Sequence, residues 1–238
     1  MTFDDGPLHC TGQILDILAE TNHKATFFVI GRNLLNPKLR DLAVRALREG
    51  HDLGNHSYSH PDFSTLSTRR AFQEIWVTHR LIREVVDEAG ADPEAQDLFF
   101  RFPYGADGNR SNRAGIRAFL AELNYGTAWW DLDTHDWQME LRWFPRSPSR
   151  VISALRNARP MDVVLLHDRE KTARYLPKML TTLASMRLVS VPLSDLEFGP
   201  TAYLVKDVTV EVPPSLAGRH IFTGEDPIDG LLNRIFSR

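Results

Sequence analysis

The sequence predicts an α/β fold, a deformed parallel (β/α)7-type barrel with a short C-terminal β/α appendage, and three observations support this prediction. Short apolar runs typical of buried strands alternate with amphipathic stretches of helical periodicity, which is the pattern of α/β architecture. The chain has 238 residues, a length that one α/β barrel fills. Hydrophobic residues make up 42% of the chain, which is enough for a sizeable core.

Seven strands and six helices are predicted along the chain. The strands lie at residues 1–3, 25–30, 51–55, 98–101, 127–131, 162–166 and 188–193. The helices lie at residues 14–18, 38–49, 72–86, 116–123, 151–155 and 176–183. The clearest helix, 38–49, has apolar residues at positions i, i+3, i+4, i+7 and i+8 and ends at Gly50.

The alternation of strands and helices stops near residue 195. We therefore expect one domain over residues 1–195, with a truncated first strand. Residues 196–238 are expected to form a C-terminal extension packed on the barrel, with a strand or hairpin followed by a short helix near 228–236.

Composition excludes several classes of protein. The 28 Lys and Arg residues against 31 Asp and Glu residues give a net charge of -3, which does not suit a nucleic-acid binder. Cys10 is the only cysteine, so no disulfide forms within the chain. No apolar run reaches the roughly 18 residues of a membrane span. The chain opens three residues before an acidic pair, so we expect an upstream segment to be missing, and the lack of a leader leaves the localisation open.

Ionisable side chains recur where the predicted strands end. In α/β barrels the catalytic groups collect at the carboxyl ends of the strands. The ionisable residues at these positions are Asp4, Asp5, His56, His60, Arg101, Asp131, Asp133, Asp136, His167 and Asp168. We therefore expect a functional site at one rim of the barrel.

Three of these residues suit a divalent metal. Asp5, His56 and His60 offer one carboxylate and two imidazoles, a set compatible with Zn²⁺, Co²⁺ or Ni²⁺. The HxxxH spacing alone is weak, because the zincin metalloproteases need Glu after the first His and a continuous helix. Here Ser57 follows His56 and Pro61 disfavours a helix at His60, so that class of protease is excluded. The chain also has no GxSxG sequence, which disfavours a serine esterase.

Five segments taken together resemble, in order, the motifs of polysaccharide deacetylases, the NodB homology domain of carbohydrate esterase family 4. The segments are TFDDGP at 2–7, HSYSH at 56–60, RFPYG at 101–105, DTHDW at 133–137 and LLHD at 165–168. The resemblance covers residues 1–195 and identifies them as a deacetylase domain. Phe102 stands where a small residue or proline is commoner in that family, and we expect it to reshape the substrate groove.

The resemblance implies a metal centre and a base. Asp5, His56 and His60 would hold one divalent ion, with Zn²⁺ first among the candidates and Co²⁺ or Ni²⁺ as alternatives. A bound Zn²⁺ lowers the pKa of its water towards about 7, which provides the nucleophile. Asp4 would be the general base, and Arg101 would hold it ionised and oriented.

The resemblance also implies an acid and an acetyl pocket. His167 would be the general acid for the leaving amine, and Asp136 would favour its protonated form. The backbone N–H of Tyr104 would stabilise the oxyanion. Trp137 and Leu165 would form the apolar wall for the acetyl methyl group.

Three other residues are interpreted more simply. His79 lies on an apolar helical stripe and is expected to be a packed core residue. Cys10 is expected to be an inert thiol. His135 is expected to line the rim, and it is the second candidate for the acid.

The sequence therefore predicts a metal-dependent hydrolase that removes N-acetyl groups from N-acetylglucosamine-type polysaccharide or oligosaccharide. An O-acetyl esterase acting on acetylated xylan and an inactive carbohydrate-binding pseudoenzyme remain alternatives. The family resemblance implies an extracytoplasmic or secreted protein. The polymer and the oligomeric state stay open.

Overall fold

The computed structural model describes residues 1–92 and 97–196. Its described part contains seven strands, which form one parallel sheet in the order β5-β4-β3-β2-β1-β7-β6. The strands are β1 Thr2–Gly6, β2 Thr26–Val29, β3 Asp52–Asn55, β4 Leu98–Phe100, β5 Tyr125–Thr127, β6 Leu132–Asp133 and β7 Val164–His167. This curled parallel sheet confirms the predicted deformed (β/α) barrel.

The described residues contain six α-helices, which alternate with the strands except between β5 and β6, and each overlaps a predicted helix. They are α1 Thr11–Glu20, α2 Pro37–Arg48, α3 Thr68–Ala89, α4 Arg113–Glu122, α5 Pro148–Ala154 and α6 Glu170–Ser185. Local signals explain several of their ends. The Asn36 side chain accepts a hydrogen bond at the start of α2, the Ser67 side chain does so for α3, and Gly90 ends α3 in the left-handed region at φ 84°.

The core lies between the central strands and the helices that cover them. Phe3 and Phe27 stack at 5.3 Å within the larger apolar cluster, which also includes Ile14 and Leu176 from α1 and α6. A second, largely aromatic cluster is formed by residues of β4, α3 and α4 and their neighbours. Cys10, the chain's single cysteine, is buried and forms no disulfide. The two clusters hold the strand ends at one rim without a covalent cross-link.

The first strand is longer than the predicted segment 1–3. It runs from Thr2 to Gly6, is buried throughout, and pairs with β2 on one side and β7 on the other. Asp4 and Asp5 therefore lie inside a central strand rather than after it. Pairing with Phe28 and His167 fixes the backbone of Asp4, whereas Asp5 lies at a register shift between β1 and β2, with φ 74°.

Two predicted strands are wrong in detail. Of the expected strand at 127–131, only Thr127 lies in a strand, as the last residue of β5, and residues 128–131 connect β5 to β6. The segment 188–193 forms no strand, and Leu193 begins a short 3-10 helix, Leu193–Asp195. Its Ser190 carbonyl accepts from the Lys24 N–H at 2.9 Å, and two of its N–H groups bind side chains. The Ser190 N–H donates to His23 Nδ1 at 2.9 Å, and the Leu193 N–H donates to Thr26 Oγ1 at 2.9 Å.

The predicted C-terminal extension, residues 196–238, lies outside the described residues except for Leu196. Within the described ranges, no helix combines the length and the apolar character that crossing a membrane requires.

One glycine allows a close approach beneath the functional rim. A Cβ atom on Gly54 of β3 would lie 2.4 Å from Cδ1 of Phe28. The Phe28 ring in turn lies 4.0 Å from the guanidinium carbon of Arg101. The absence of a side chain at Gly54 thus sets the position of the ring on which Arg101 rests.

We expect Gly54→Ala to lower the free energy of unfolding by about 1–3 kcal/mol, because the buried Phe28 ring must shift in a packed core. Urea denaturation measures the change. Gly12→Ala is the matched control, since its Cβ would lie 3.4 Å from a Leu42 methyl, and it should stay within about 1 kcal/mol of the parent. Equal stability of Gly54→Ala and the parent would contradict this account.

Candidate active site

A cleft of about 560 Å³ opens at the carboxyl ends of the strands, a volume within the usual range of small-molecule sites. Eight of the ten predicted site residues line it: Asp4, Asp5, His56, His60, Tyr104, Trp137, Leu165 and His167. The other two, Arg101 and Asp136, are buried and hydrogen-bond to cleft residues. The structure thus brings the predicted residues together.

The Asp5, His56 and His60 side chains form a compact group suited to a cation. One potential ligand atom from each lies within 4.8 Å of the others. Oδ1 of Asp5 is 3.2 Å from Nε2 of His60 and 3.7 Å from Nε2 of His56. That oxygen is buried and has no hydrogen-bond partner among the described residues. A buried carboxylate oxygen without a donor is costly, so these residues fit a divalent ion.

The histidine tautomers also suit a metal. Nδ1 of His56 is 2.8 Å from the carbonyl oxygen of Arg101. A carbonyl only accepts, so Nδ1 carries the proton and Nε2 presents a lone pair to the group. Burial, with the nearby His56, lowers the pKa of His60 to about 4, so its imidazole is neutral at pH 7.

Asp5 is held by a residue that the motif analysis missed. The Arg169 guanidinium donates to Asp5 Oδ2 at 2.5 Å, and Arg169 also lines the cleft. Burial alone would raise the pKa of Asp5, but its electrostatic interactions with His56, His167, His60 and Arg169 lower the pKa overall. Arg169 directly follows the LLHD segment at a strand end, and that position was the available sequence signal.

Asp4 is paired with a fully buried arginine. Arg101 is 1% exposed, and its Nη1 donates to Asp4 Oδ1 at 2.8 Å and to Thr2 Oγ1 at 2.6 Å. Its remaining donors bind the carbonyl oxygens of Ala128 and Trp129, each at 3.1 Å. One Asp4 oxygen is therefore fixed, while Oδ2 lies 3.6 Å from His56 Nε2.

His167 is paired with a buried carboxylate. Its Nδ1 lies 2.8 Å from Asp136 Oδ1, and its backbone N–H donates to Asp136 Oδ2 at 2.8 Å. The Thr172 hydroxyl donates to the same Oδ2 at 2.6 Å. Burial alone would lower the pKa of His167, but the bond to Asp136 and its negative charge raise it overall. The pair favours a protonated imidazole whose Nε2 remains for the cleft.

Apolar and aromatic side chains form the walls. Leu165 is buried, whereas Trp137 and Tyr104 are 40% and 73% exposed. The Tyr104 ring meets the His60 ring edge-on, with centroids 4.6 Å apart. Phe102 lines the cleft and packs against Phe100 at 4.8 Å, so it joins the wall to the core beneath.

Other ionisable residues have structural partners. His79 is part-buried, and its Nδ1 lies 3.2 Å from the Tyr125 hydroxyl oxygen. The Cys10 thiol donates to Asp168 at 3.0 Å, and burial raises its pKa, which keeps it a thiol. His135 pairs with Asp133 at 2.9 Å rather than with Asp136.

The parallel sheet and its rim cleft place the chain in the α/β-barrel class, whose enzymes have their active sites at the carboxyl ends of the strands. A family model described as polysaccharide deacetylase matches residues 1–125, which is more than half of the chain.

Two curated relatives match this chain over most of its length. Identity is 37% over 170 residues with the chitooligosaccharide deacetylase of Rhizobium leguminosarum bv. trifolii, covering 71% of this chain and 70% of that protein. Identity is 33% over 199 residues with the peptidoglycan-N-acetylglucosamine deacetylase PgdA of Listeria monocytogenes serotype 1/2a (strain 10403S). That second match covers 82% of this chain but only 38% of PgdA.

A solved structure agrees with these matches. The family 4 carbohydrate esterase from Streptomyces lividans, in complex with acetate, matches with a TM-score of 0.68 and 28% identity. The match covers 85% of this chain and 93% of that one. The chain therefore belongs to the polysaccharide deacetylase family.

In Asp136→Asn we expect the pKa of His167 to fall, because the neutral amide removes the charge that favours the imidazolium. NMR titration of the His167 ring in metal-free protein measures this change. Asp133→Asn is the matched control, because Asp133 contacts His135 and its loss should leave the His167 pKa unchanged. Equal His167 titration in the two variants would contradict the pairing.

Proposed function

We propose that the chain is a metal-dependent hydrolase that removes N-acetyl groups from N-acetylglucosamine-type polysaccharide or oligosaccharide. One observation carries the proposal: the Asp5, His56 and His60 group shares its cleft with Asp4 and His167. The two deacetylase relatives support the substrate class. A polymeric glycan of this kind also favours an extracytoplasmic or secreted location.

Asp5, His56 and His60 would hold the divalent ion, with Zn²⁺ preferred and Co²⁺ or Ni²⁺ as alternatives. When bound, such an ion supplies Lewis acidity towards an acyl carbonyl and towards water. Arg169 neutralises the far oxygen of Asp5 at 2.5 Å, which leaves Oδ1 as the oxygen that faces the two imidazoles.

Asp4 acts as the general base in this proposal. Arg101 occupies Oδ1, so Oδ2 is the oxygen that accepts a proton from the attacking water. The same ion pair fixes the rotamer of Asp4, because Arg101 is itself held by Thr2 and by two backbone carbonyls. A base held this way needs no reorganisation when the water approaches.

His167 acts as the general acid. Asp136 fixes Nδ1, so Nε2 is the atom that gives a proton to the leaving nitrogen. An amine leaves poorly unless it is protonated, so the raised pKa of His167 suits amide cleavage at neutral pH. Asp4 and His167 thus have opposite roles in proton transfer, with Arg101 orienting the base and Asp136 orienting the acid.

The acetyl group would lie against the apolar side of the cleft. Leu165 and Trp137 form that wall, and both line the cleft with the ionisable groups. The backbone N–H of Tyr104 would stabilise the oxyanion, and Tyr104 has a left-handed backbone conformation with φ 58°. An O-acetyl esterase on acetylated xylan would use the same groups, because only the leaving atom differs.

We expect acetate release from chitin oligomers and peptidoglycan to exceed release from acetylated xylan, and a chelator to abolish it. Assay of acetate across this panel, with and without added Zn²⁺, tests the function and its alternatives. Preference for the xylan would identify the O-acetyl esterase. No release from any substrate by a metal-loaded protein would support the carbohydrate-binding pseudoenzyme.

We expect Asp5→Ala, His56→Ala and His60→Ala each to lose both stoichiometric metal and activity, because each removes one of three protein ligands. Asp4→Asn should keep the metal while kcat falls by about 10²-fold or more, since only the proton acceptor is lost. Metal analysis beside acetate release separates the two groups of variants. Full metal content in a ligand variant would remove that residue from the set.

A further inference from the structure

The loop over residues 56–60 carries two of the three candidate metal ligands, His56 and His60. Its backbone conformation is uncommon. Ser57 has φ 66° and His60 has φ 62°, both in the left-handed region. Non-glycine residues adopt this region rarely, and they stay there when surrounding contacts determine the conformation. The direction of the His60 ring therefore depends on what holds the loop.

Several contacts hold the first half of this loop, including one from the Arg32 N–H to the Tyr58 carbonyl at 3.0 Å. The Ser57 N–H donates to the Asn55 side chain at 2.9 Å, and the Ser57 carbonyl accepts from the Gly31 N–H at 2.9 Å. The His60 N–H then donates to the Ser57 hydroxyl at 3.1 Å. These contacts fix Ser57 and close the turn.

Glu74 of α3 holds the second half. Its Oε2 accepts the Ser59 backbone N–H at 2.7 Å, and its Oε1 accepts the Ser59 hydroxyl at 2.8 Å. Glu74 is 1% exposed, and its charge is also met by Arg70 at 2.7 Å. Both carboxylate oxygens of Glu74 thus accept hydrogen bonds from Ser59, the residue directly before His60.

We propose that Glu74 is a positioning residue for His60, acting through Ser59 to set the backbone that points Nε2 of His60 at Asp5. The proposal rests on the proposed function, since it treats His60 as a metal ligand. The contacts between Glu74 and Ser59 fit this role because the loop that they hold places Nε2 of His60 3.2 Å from Oδ1 of Asp5. Charge-assisted bonds from a buried carboxylate to a backbone N–H are short and strong, as positioning requires.

A simpler role would be the i,i+4 ion pair with Arg70 that stabilises α3. The Arg70 side chain is 53% exposed, and exposed pairs of this kind contribute little to stability. The two roles predict that different substitutions weaken metal binding. The positioning role depends on the Ser59 contacts, and the helix role depends on Arg70.

The test measures Zn²⁺ affinity of the full chain by competition with a chromophoric chelator. Glu74→Met keeps the side-chain length but removes both acceptors, and it should weaken binding at least tenfold. Glu74→Gln should recover most of the affinity, because its carbonyl accepts from the Ser59 N–H and its amide donates to the Ser59 hydroxyl. Arg70→Ala leaves the Ser59 contacts in place and should bind within threefold of the parent.

A second readout follows the ligand set itself. The visible spectrum of the Co²⁺-loaded protein should change in Glu74→Met and match the parent in Arg70→Ala. Circular dichroism of the metal-free variants checks the fold. If Glu74→Met is unfolded, Ser59→Ala tests the proposal instead. It removes the hydrogen bond from the Ser59 hydroxyl to Glu74 in a partly exposed loop, and it should still weaken Zn²⁺ binding severalfold.

Parental affinity in Glu74→Met, or in Ser59→Ala where that variant decides, would overturn the proposal, as would an equal loss in Arg70→Ala. A parent chain that binds no Zn²⁺ would instead contradict the proposed function. The two failures are therefore distinguishable.

Discussion

The buried guanidinium of Arg101 is the interaction on which the rest of the site depends. It donates to Asp4 and Thr2 on β1 and to the Ala128 and Trp129 carbonyls after β5, while its own carbonyl accepts from His56. A charge removed from water must be paired and fully hydrogen-bonded, and loss of one partner of such a pair costs about 3–5 kcal/mol. The buried charge of Arg101 is therefore paired and hydrogen-bonded. The residue also connects β1, the segment after β3 and the segment after β5 at one rim.

A common arrangement recurs in the three carboxylates that serve the cleft. Arg101 holds one oxygen of Asp4, Arg169 holds one oxygen of Asp5, and His167 binds Asp136 through both its ring and its backbone. In the first two, the second oxygen is left to face the cleft. Each carboxylate is thereby held in one orientation, and its hydrogen-bonded partner offsets the cost of burying a charged group.

Sequence periodicity and motif order were sufficient for the fold class and for the residues that gather in the cleft. They failed at 188–193, where an apolar segment forms no strand and two of its N–H groups bind side chains. They also failed at 128–131, where the apolar residues connect β5 to β6. They also missed Glu74 and Arg169. A charge on an amphipathic helix or beyond a strand end reads as solvent-exposed, and only the tertiary contacts show that Glu74 is buried against the loop at 56–60.

The left-handed backbone of the rim residues has a consequence for how this chain tolerates change. Asp5, Ser57, His60, Tyr104 and His135 all have φ between 53° and 74°, and such conformations cost about 1–3 kcal/mol each. Glycine would relieve that cost at every one of the five positions. At Tyr104, which is 73% exposed, little packing would be lost with the side chain, so replacement by glycine there would raise stability while removing part of the cleft wall.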